Sequence, residues 1–364
     1  MKILFVVRSV DIGGAAKQLA MTANALVEKG HEVIVFSYCW NKPNSLFSNQ
    51  VRYMPSPDYG KMGEYLKAIP SIRKVVKEEK PSVVISWRAN AGCFVRLATL
   101  GLNCKVIYSE RTDPYMETSA LLKFATWVCG FSDGGVFQTE KARDYYPRLV
   151  SKATVIPNPF DSKDLPEIVP INERRKEIAC VCRFFMVQKR QDVMLEAFQM
   201  ILQKLPDYKL VFYGDGTDWE KVKHMAKEME ISDSVVFKGA VNDVIHYVKN
   251  SRLFVLSSDY EGIPNVILEA FAAGTPVVST DCSPGGARVL IDNEKNGFIV
   301  PIRDAKALAE KSIKLIGDNE LSMKFIKESR DKLSLFKYDR ISDKWNEYIT
   351  QVTNGDAIHN TKKK

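Results

Sequence analysis

The chain has 364 residues, enough for two domains of ordinary size, and its 45% apolar and 26% charged residues are the balance of a soluble globular protein. No apolar run approaches the roughly 20 residues needed to span a bilayer. The net charge of +8 lies wholly in residues 1–163, where 22 Lys/Arg stand against 14 Asp/Glu; residues 164–364 hold 30 of each. Such a surface attracts nucleic acid, anionic lipid or acidic substrates, or is a solvated surface with chance bias. No motif that reads RNA or DNA accompanies it, which sets nucleic acid aside. Seven cysteines without C-x-x-C spacing argue for a reducing cytosol and against a disulfide framework.

The five apolar residues before Arg8 are too few for a signal peptide and read as a first buried strand. Along the first half the patterns predict strands near 2–8, 31–37, 82–87, 104–109, 134–138 and 153–156. Helices are predicted near 15–29, 62–79, 90–100, 117–129 and 140–146. The piece Lys61–Lys80 holds six basic and three acidic residues. It is the candidate to lie along an anionic membrane with its aliphatic side chains turned down. Pro157 to Pro170 carries four prolines and reads as a linker. The rhythm then restarts, with strands near 178–183, 208–213, 235–238, 253–257, 276–280 and 298–300. Helices are expected near 191–204, 218–230, 243–249, 264–273 and 304–316, the last capped by Asp304. Strands alternating with helices predict parallel α/β units. Apolar residues at Ile341, Trp345, Tyr348, Ile349 and Val352 give a last helix one apolar face. The tail from Asn354 to Lys364 reads as disordered.

The stretch Tyr260–Ala273 (YEGIPNVILEAFAA) is the most informative. Pro264 suits the first turn of a short helix and Gly274 its end. Glu261 then lies in the loop before the helix and Glu269 one turn inside it. The helix start, Gly262, Ile263, Pro264, Asn265 and Val266, would offer unpaired N–H groups and a partial positive charge to a phosphate. The carboxylates would accept hydrogen bonds from sugar hydroxyls, and the combination points to a nucleotide-sugar. The same spacing also fits an ordinary amphipathic helix with two solvated glutamates. Arg183 and Lys189, six residues apart after a strand, could stabilise charge on a departing diphosphate; as an isolated pair they would be surface cations. Gly13-Gly14 opens the first helix without a full G-x-G-x-x-G pattern. Gly214-Asp215-Gly216 follows a strand as a tight turn. There is no Asp-x-Asp, and the four histidines lack ligand spacing, so no metal or other cofactor is expected. His31 reads as structural.

Glu261 and Glu269 resemble the E-x7-E signature of the retaining glycosyltransferases of family 4 (glycosyl transferases group 1). Fold rhythm, glycine pair, R-x5-K and EGIPNVILEAFAAGTPVV occur in the family's order. The resemblance implies two Rossmann-like, doubly wound parallel-sheet α/β domains facing a cleft, the GT-B fold. Residues 1–162 with the returning helix 338–352 would bind acceptor, and 163–337 the donor. It implies that Glu261 faces the donor sugar and Glu269 holds the ribose hydroxyls. Arg183 and Lys189 reach the diphosphate, and Gly14 and Gly214 lie near the donor. Transfer would retain configuration without a metal, the leaving diphosphate taking the acceptor proton. Many relatives carry a histidine where this chain has Glu110 and Arg111. Arg111 could clamp a phosphate of a lipid-diphosphate acceptor and Glu110 orient its hydroxyl, or the two could form a structural salt bridge.

The reading is therefore transfer of a hexose or N-acetylhexosamine from a UDP-sugar to a polyprenyl-diphosphate-linked glycan in envelope polysaccharide assembly. The protein would be cytoplasmic and peripheral on the inner face of the plasma membrane. A UDP-sugar epimerase of the same shape would instead make an epimer from donor alone. A non-catalytic nucleotide-sugar-binding module would keep its biological activity when Glu261 or Lys189 becomes alanine.

Overall fold

The computed structural model describes residues 1–10, 13–39, 46–116, 119–161 and 165–356. Most of the tail expected to be disordered, residues 357–364, lies outside the described residues, as do residues 162–164 of the linker. The chain divides into two compact units, Met1–Pro159 with Phe336–Lys364, and Phe160–Leu335.

Among the described residues the first unit has seven strands. They are β1 (Lys2–Val7), β2 (Glu32–Ser37), β3 (Arg52–Pro55), β4 (Val83–Trp87), β5 (Lys105–Ser109), β6 (Gly134–Phe137) and β7 (Ala153–Val155). All pair in parallel, in the order β3-β2-β1-β4-β5-β6-β7. The intervening helices are α1 (Gly14–Glu28), α2 (Gly60–Glu79), α3 (Ala89–Ala98), α4 (Ala120–Cys129) and α5 (Glu140–Asp144). Successive side chains of β1 point to opposite faces, and both faces are covered. Ile3, Phe5 and Val7 pack with Leu19, Ala23 and Leu26 of α1. Leu4 and Val6 pack with Ile72 and Val76 of α2 and Val95 of α3.

That packing corrects the expectation for Lys61–Lys80. The aliphatic side chains Ala68, Ile72, Val75 and Val76 of α2 are buried in this core. The sheet takes the apolar stripe, so α2 turns Lys67, Lys74 and Lys77 outward and has few described aliphatic groups left for lipid.

The second unit repeats the design with β8 (Arg175–Val181), β9 (Lys209–Tyr213), β10 (Val235–Phe237), β11 (Ser251–Leu256), β12 (Val277–Thr280) and β13 (Phe298–Val300), in the order β10-β9-β8-β11-β12-β13. Around them lie α6 (Met186–Lys189), α7 (Gln191–Leu202), α8 (Trp219–Glu228), α9 (Val244–Val248), α10 (Asn265–Ala272), α11 (Gly286–Leu290), α12 (Ala305–Gly317) and α13 (Asn319–Lys332). Asp304 caps α12, its carboxylate accepting from the Ala307 N–H at 2.8 Å. The chain then returns to the first unit through α14 (Tyr338–Asn354). Ile341, Trp345, Tyr348, Ile349 and Val352 enter the core on the α1 side of the sheet. His31, between α1 and β2, has Nε2 2.6 Å from Oδ1 of Asn346 on α14, the structural place expected of it.

Both sheets reverse direction beside their first strand, between β1 and β4 and between β8 and β11. In open parallel sheets, ligands bind outside the carboxyl ends of the strands at such switch points. In the second unit, the loops leaving β8 and β11 are therefore where chemistry is to be sought.

Candidate active site

Strand β8 ends at Val181, two residues before the predicted end at Arg183. The backbone then turns through Cys182–Phe185 into α6, whose last residue is Lys189. The loop after β11 carries Ser257 to Pro264 into α10. Lys189 and Glu261, 72 residues apart in the chain, form a half-buried ion pair across this switch point. The same carboxylate oxygen of Glu261 accepts from the Ser258 hydroxyl at 2.8 Å. Burial opposes the charge on Lys189, but the adjacent Glu261 carboxylate outweighs it and holds the ammonium above its ordinary pKa. Lys189 is thus a fixed cation at neutral pH.

The two loops are laced together by hydrogen bonds to backbone carbonyls. Asp259 donates its N–H to the Gln188 carbonyl at 2.9 Å, Gln188 Nε2 donates to the Tyr260 carbonyl at 3.0 Å, and Ser257 Oγ to the Lys189 carbonyl at 2.8 Å. A third segment braces them. The Glu261 N–H donates to Ser283 O at 2.8 Å, and the Ser283 N–H to Asp259 O at 3.0 Å. Gly286 comes so close that a Cβ there would stand 1.7 Å from the Gly262 carbonyl oxygen. The sequence showed turn chemistry at Ser283–Gly286 without a role; its role is this brace.

Arg183 is exposed, and among the described residues its side chain makes no hydrogen bond or ion pair. Its backbone is fixed nonetheless: the buried Gln191 donates from Nε2 to the Arg183 carbonyl at 2.9 Å. Gly214 and Gly216 pass against this turn. A Cβ on Gly214 would meet Cys182 O at 1.9 Å, and one on Gly216 would meet Phe184 O at 2.4 Å. Gly214 also has φ of 136°, a conformation side chains disfavour. Its tight turn stands beside the strand end that delivers Arg183. The two cysteines beneath, Cys180 and Cys182, lie on one face with sulfurs 3.9 Å apart, and all seven cysteines are free thiols.

Pro264 is the residue before α10 rather than inside it, and Ile263 and Pro264 are buried. Gly262, Asn265 and Val266 are half-buried at the helix start, and Glu269 is half-buried one turn along. Lys189, Glu261 and the start of α10 are therefore on one rim of one sheet, with Arg183 on the neighbouring turn. Gly14 lies in the first unit, where it begins α1 after β1. Among the described residues, no three His, Cys, Asp or Glu side chains gather as metal ligands would.

Glu110 and Arg111 correct part of the acceptor reading. Glu110 is buried and accepts five hydrogen bonds, from the hydroxyls of Tyr108 and Tyr146, the N–H groups of Arg111 and Thr112, and the Thr112 hydroxyl. A carboxylate has about four lone-pair sites, so Glu110 is already saturated and cannot also orient an acceptor hydroxyl. Nor does it pair with the Arg111 guanidinium, which stacks 4.2 Å from the centre of the Trp87 ring and 5.2 Å from that of Trp345. Arg111 Nε donates to Ser109 Oγ at 3.0 Å, while the buried Nη2 has no protein partner. Burial pulls this guanidinium down to about 9, still charged at neutral pH.

Comparison with known proteins places this geometry. The model of the glycosyl transferases group 1 matches residues 161–332, and that of glycosyltransferase family 4 matches residues 12–164. An uncharacterized glycosyltransferase of Haemophilus influenzae is 27% identical over 352 residues, covering 94% of this chain and 98% of its own. A Campylobacter jejuni α-1,4-N-acetyl-D-galactosaminyltransferase, named for a GalNAc–GalNAc–diNAcBac-PP-undecaprenol acceptor, is 25% identical over 362 residues, covering 97% and 99%. Among solved structures, sucrose-phosphate synthase of Thermosynechococcus elongatus has a TM-score of 0.83 at 18% identity, covering 98% of this chain and 100% of its own. HepE of Anabaena, in complex with UDP and glucose, has a TM-score of 0.81 at 18% identity, covering 96% and 100%. Identities this low carry the fold alone. The two family models run in succession from residue 12 to residue 332 over two doubly wound parallel sheets, and the chain belongs to the family 4, group 1 glycosyltransferases of the GT-B fold.

Proposed function

We propose that this protein transfers a hexose or N-acetylhexosamine, with retention of configuration and without a metal ion, from a UDP-sugar to a lipid-linked glycan in cell-envelope polysaccharide assembly. The observation that carries the reading is the Lys189–Glu261 pair at the switch point of the second sheet, beside the start of α10. The diphosphate of the donor would rest on the α10 N-terminus, with Glu269 toward the ribose and Glu261 toward the sugar. As the bond between the sugar C1 and the diphosphate oxygen breaks, negative charge grows on that oxygen. Lys189, already fixed as a cation, and Arg183 would stabilise it. The acceptor oxygen then bonds to C1 on the face the diphosphate leaves, and the acceptor proton passes to the departing phosphate oxygen. The residues present supply positive charge without a metal. The Campylobacter relative supports a polyprenyl-diphosphate acceptor, and the UDP complex of HepE supports a UDP donor.

Purified protein incubated with UDP-sugars and a polyprenyl-diphosphate glycan should form an α-linked product in the presence of EDTA. Lys189→Ala and Glu261→Ala should each lower the rate at least about 100-fold, as loss of one fixed electrostatic group at a transition state does. Full activity in either variant, or an inverted linkage by NMR, would refute the mechanism.

A further inference from the structure

We infer that the outer face of α4 seats this protein on an anionic phospholipid bilayer. The inference is independent of the transfer reaction and arises from another part of the molecule. One side of α4 is ordinary core: Ala125, Thr126, Val128 and Cys129 are buried, and Ala125 and Val128 pack with Cys93 of α3. The other side is not. Leu121 is 77% exposed, Phe124 53%, Trp127 50% and, just beyond the helix, Phe131 46%. These side chains are contiguous. The rings of Phe124 and Trp127 stack at 5.9 Å, and those of Trp127 and Phe131 meet edge to face at 4.8 Å. Single exposed apolar residues are commonplace, but a joined aromatic strip on a folded surface marks a binding face.

The charges around the strip select the occupant. Residues 119–131 (SALLKFATWVCGF) contain no Asp or Glu and one cation, Lys123. The guanidinium of Arg148 lies 4.8 Å from the Phe131 ring centre and 5.3 Å from that of Trp127. Tryptophan and phenylalanine settle at the headgroup boundary of a bilayer, while lysine and arginine reach the phosphates beside them. A helix of ten residues is about 15 Å long, so α4 would lie in the interface; among the described residues no helix is long and apolar enough to cross a membrane. Helix α2 belongs to the same layer, packing on α3 as α3 packs on α4, and it turns Lys67 and Lys74 outward. Each such cation adds attraction to an anionic surface. Membrane contact is thus divided: α4 supplies apolar anchors and α2 supplies charge.

The test is flotation of the full-length protein with vesicles of phosphatidylglycerol and phosphatidylcholine, and with phosphatidylcholine alone. The expected result is binding to the anionic vesicles, weakened at high salt, and reduced at least 10-fold in Phe124→Ser/Trp127→Ser. Arg148→Glu should weaken it several-fold. Brominated lipid should quench tryptophan emission in the wild type and much less in Trp127→Phe. Melting temperature and stabilisation by UDP should not change in these exposed variants, so failure here is distinguishable from failure of the donor reading. The inference is overturned if the wild type ignores anionic vesicles, or if wild type and double variant bind them equally. It is also overturned if the double variant instead dissolves a wild-type dimer, which would assign the strip to a second copy of the chain.

Discussion

Lys189 and Glu261 each satisfy the other's burial, and that interdependence has a pH signature. Removing the lysine leaves a half-buried carboxylate with Ser258 as its remaining side-chain donor, a loss of about 1–3 kcal/mol. The folded pKa of Lys189 is raised above the ordinary 10.5. Its contribution is therefore complete below the unfolded value and disappears only as pH climbs through the folded one. The melting difference between wild type and Lys189→Met should stay constant from pH 7 to about 10 and shrink above 10.5; shrinkage beginning near neutrality would show that the pair does not hold the charge. At this scale the sequence singled out Lys189 and Glu261, which the structure brings together, because R-x5-K and E-x7-E are short-range patterns. It was silent on Ser258 and Gln191, since nothing in a local pattern marks a serine or glutamine as a hydrogen-bonding strut. Glu110 was misread for a related reason. A carboxylate after a strand looks available until Tyr108 and Tyr146 are seen to occupy it.

Among the elements, helices and strands with a strong apolar period were legible to within a few residues, and the weak ones were not. Strand β3 is four residues on the sheet edge, two of them exposed, ending in Pro55. Too little of it is buried to leave an alternating pattern. Helix α13 buries Ser322 and Ser329 beside Phe325 and Ile326, so half of its inner face is polar and its period is blurred. Ser322 accepts from the buried Arg252 of β11 at 3.1 Å, and the same guanidinium donates to the last carbonyls of α12. The short helix α11 begins where Gly286 meets the Glu261 loop. Gly286→Ala must push these segments apart, costing about 2 kcal/mol as overpacking does. Differential scanning calorimetry should show a melting transition lower by several degrees, and UDP should no longer raise it. A variant that melts and binds like wild type would mean the brace is dispensable.

The whole chain is two α/β units, the first completed by a helix from the far end of the sequence. Trp345 is fully buried there, stacked on Trp87 at 6.1 Å and facing Arg111. Trp345→Ala should cost about 3–5 kcal/mol. Native-state hydrogen exchange should report the loss of protection in β1, β4 and β5, while β8 and β9, with their own core, keep theirs. Equal loss in both units would contradict two separate cores. What the amino-acid order determined alone was the alternation of strands and helices, the restart near residue 178, the apolar face of α14 and the family signature, because each depends on residues within a turn or two of one another. Tertiary structure decided which sheet faces take which apolar stripes, and so that α2 turns Lys67, Lys74 and Lys77 outward while α4 is left with its aromatics exposed. It decided as well that Lys189 meets Glu261 and that two tryptophans enclose Arg111. Those outcomes depend on strand order, which brings distant loops to one sheet edge and which no local pattern encodes.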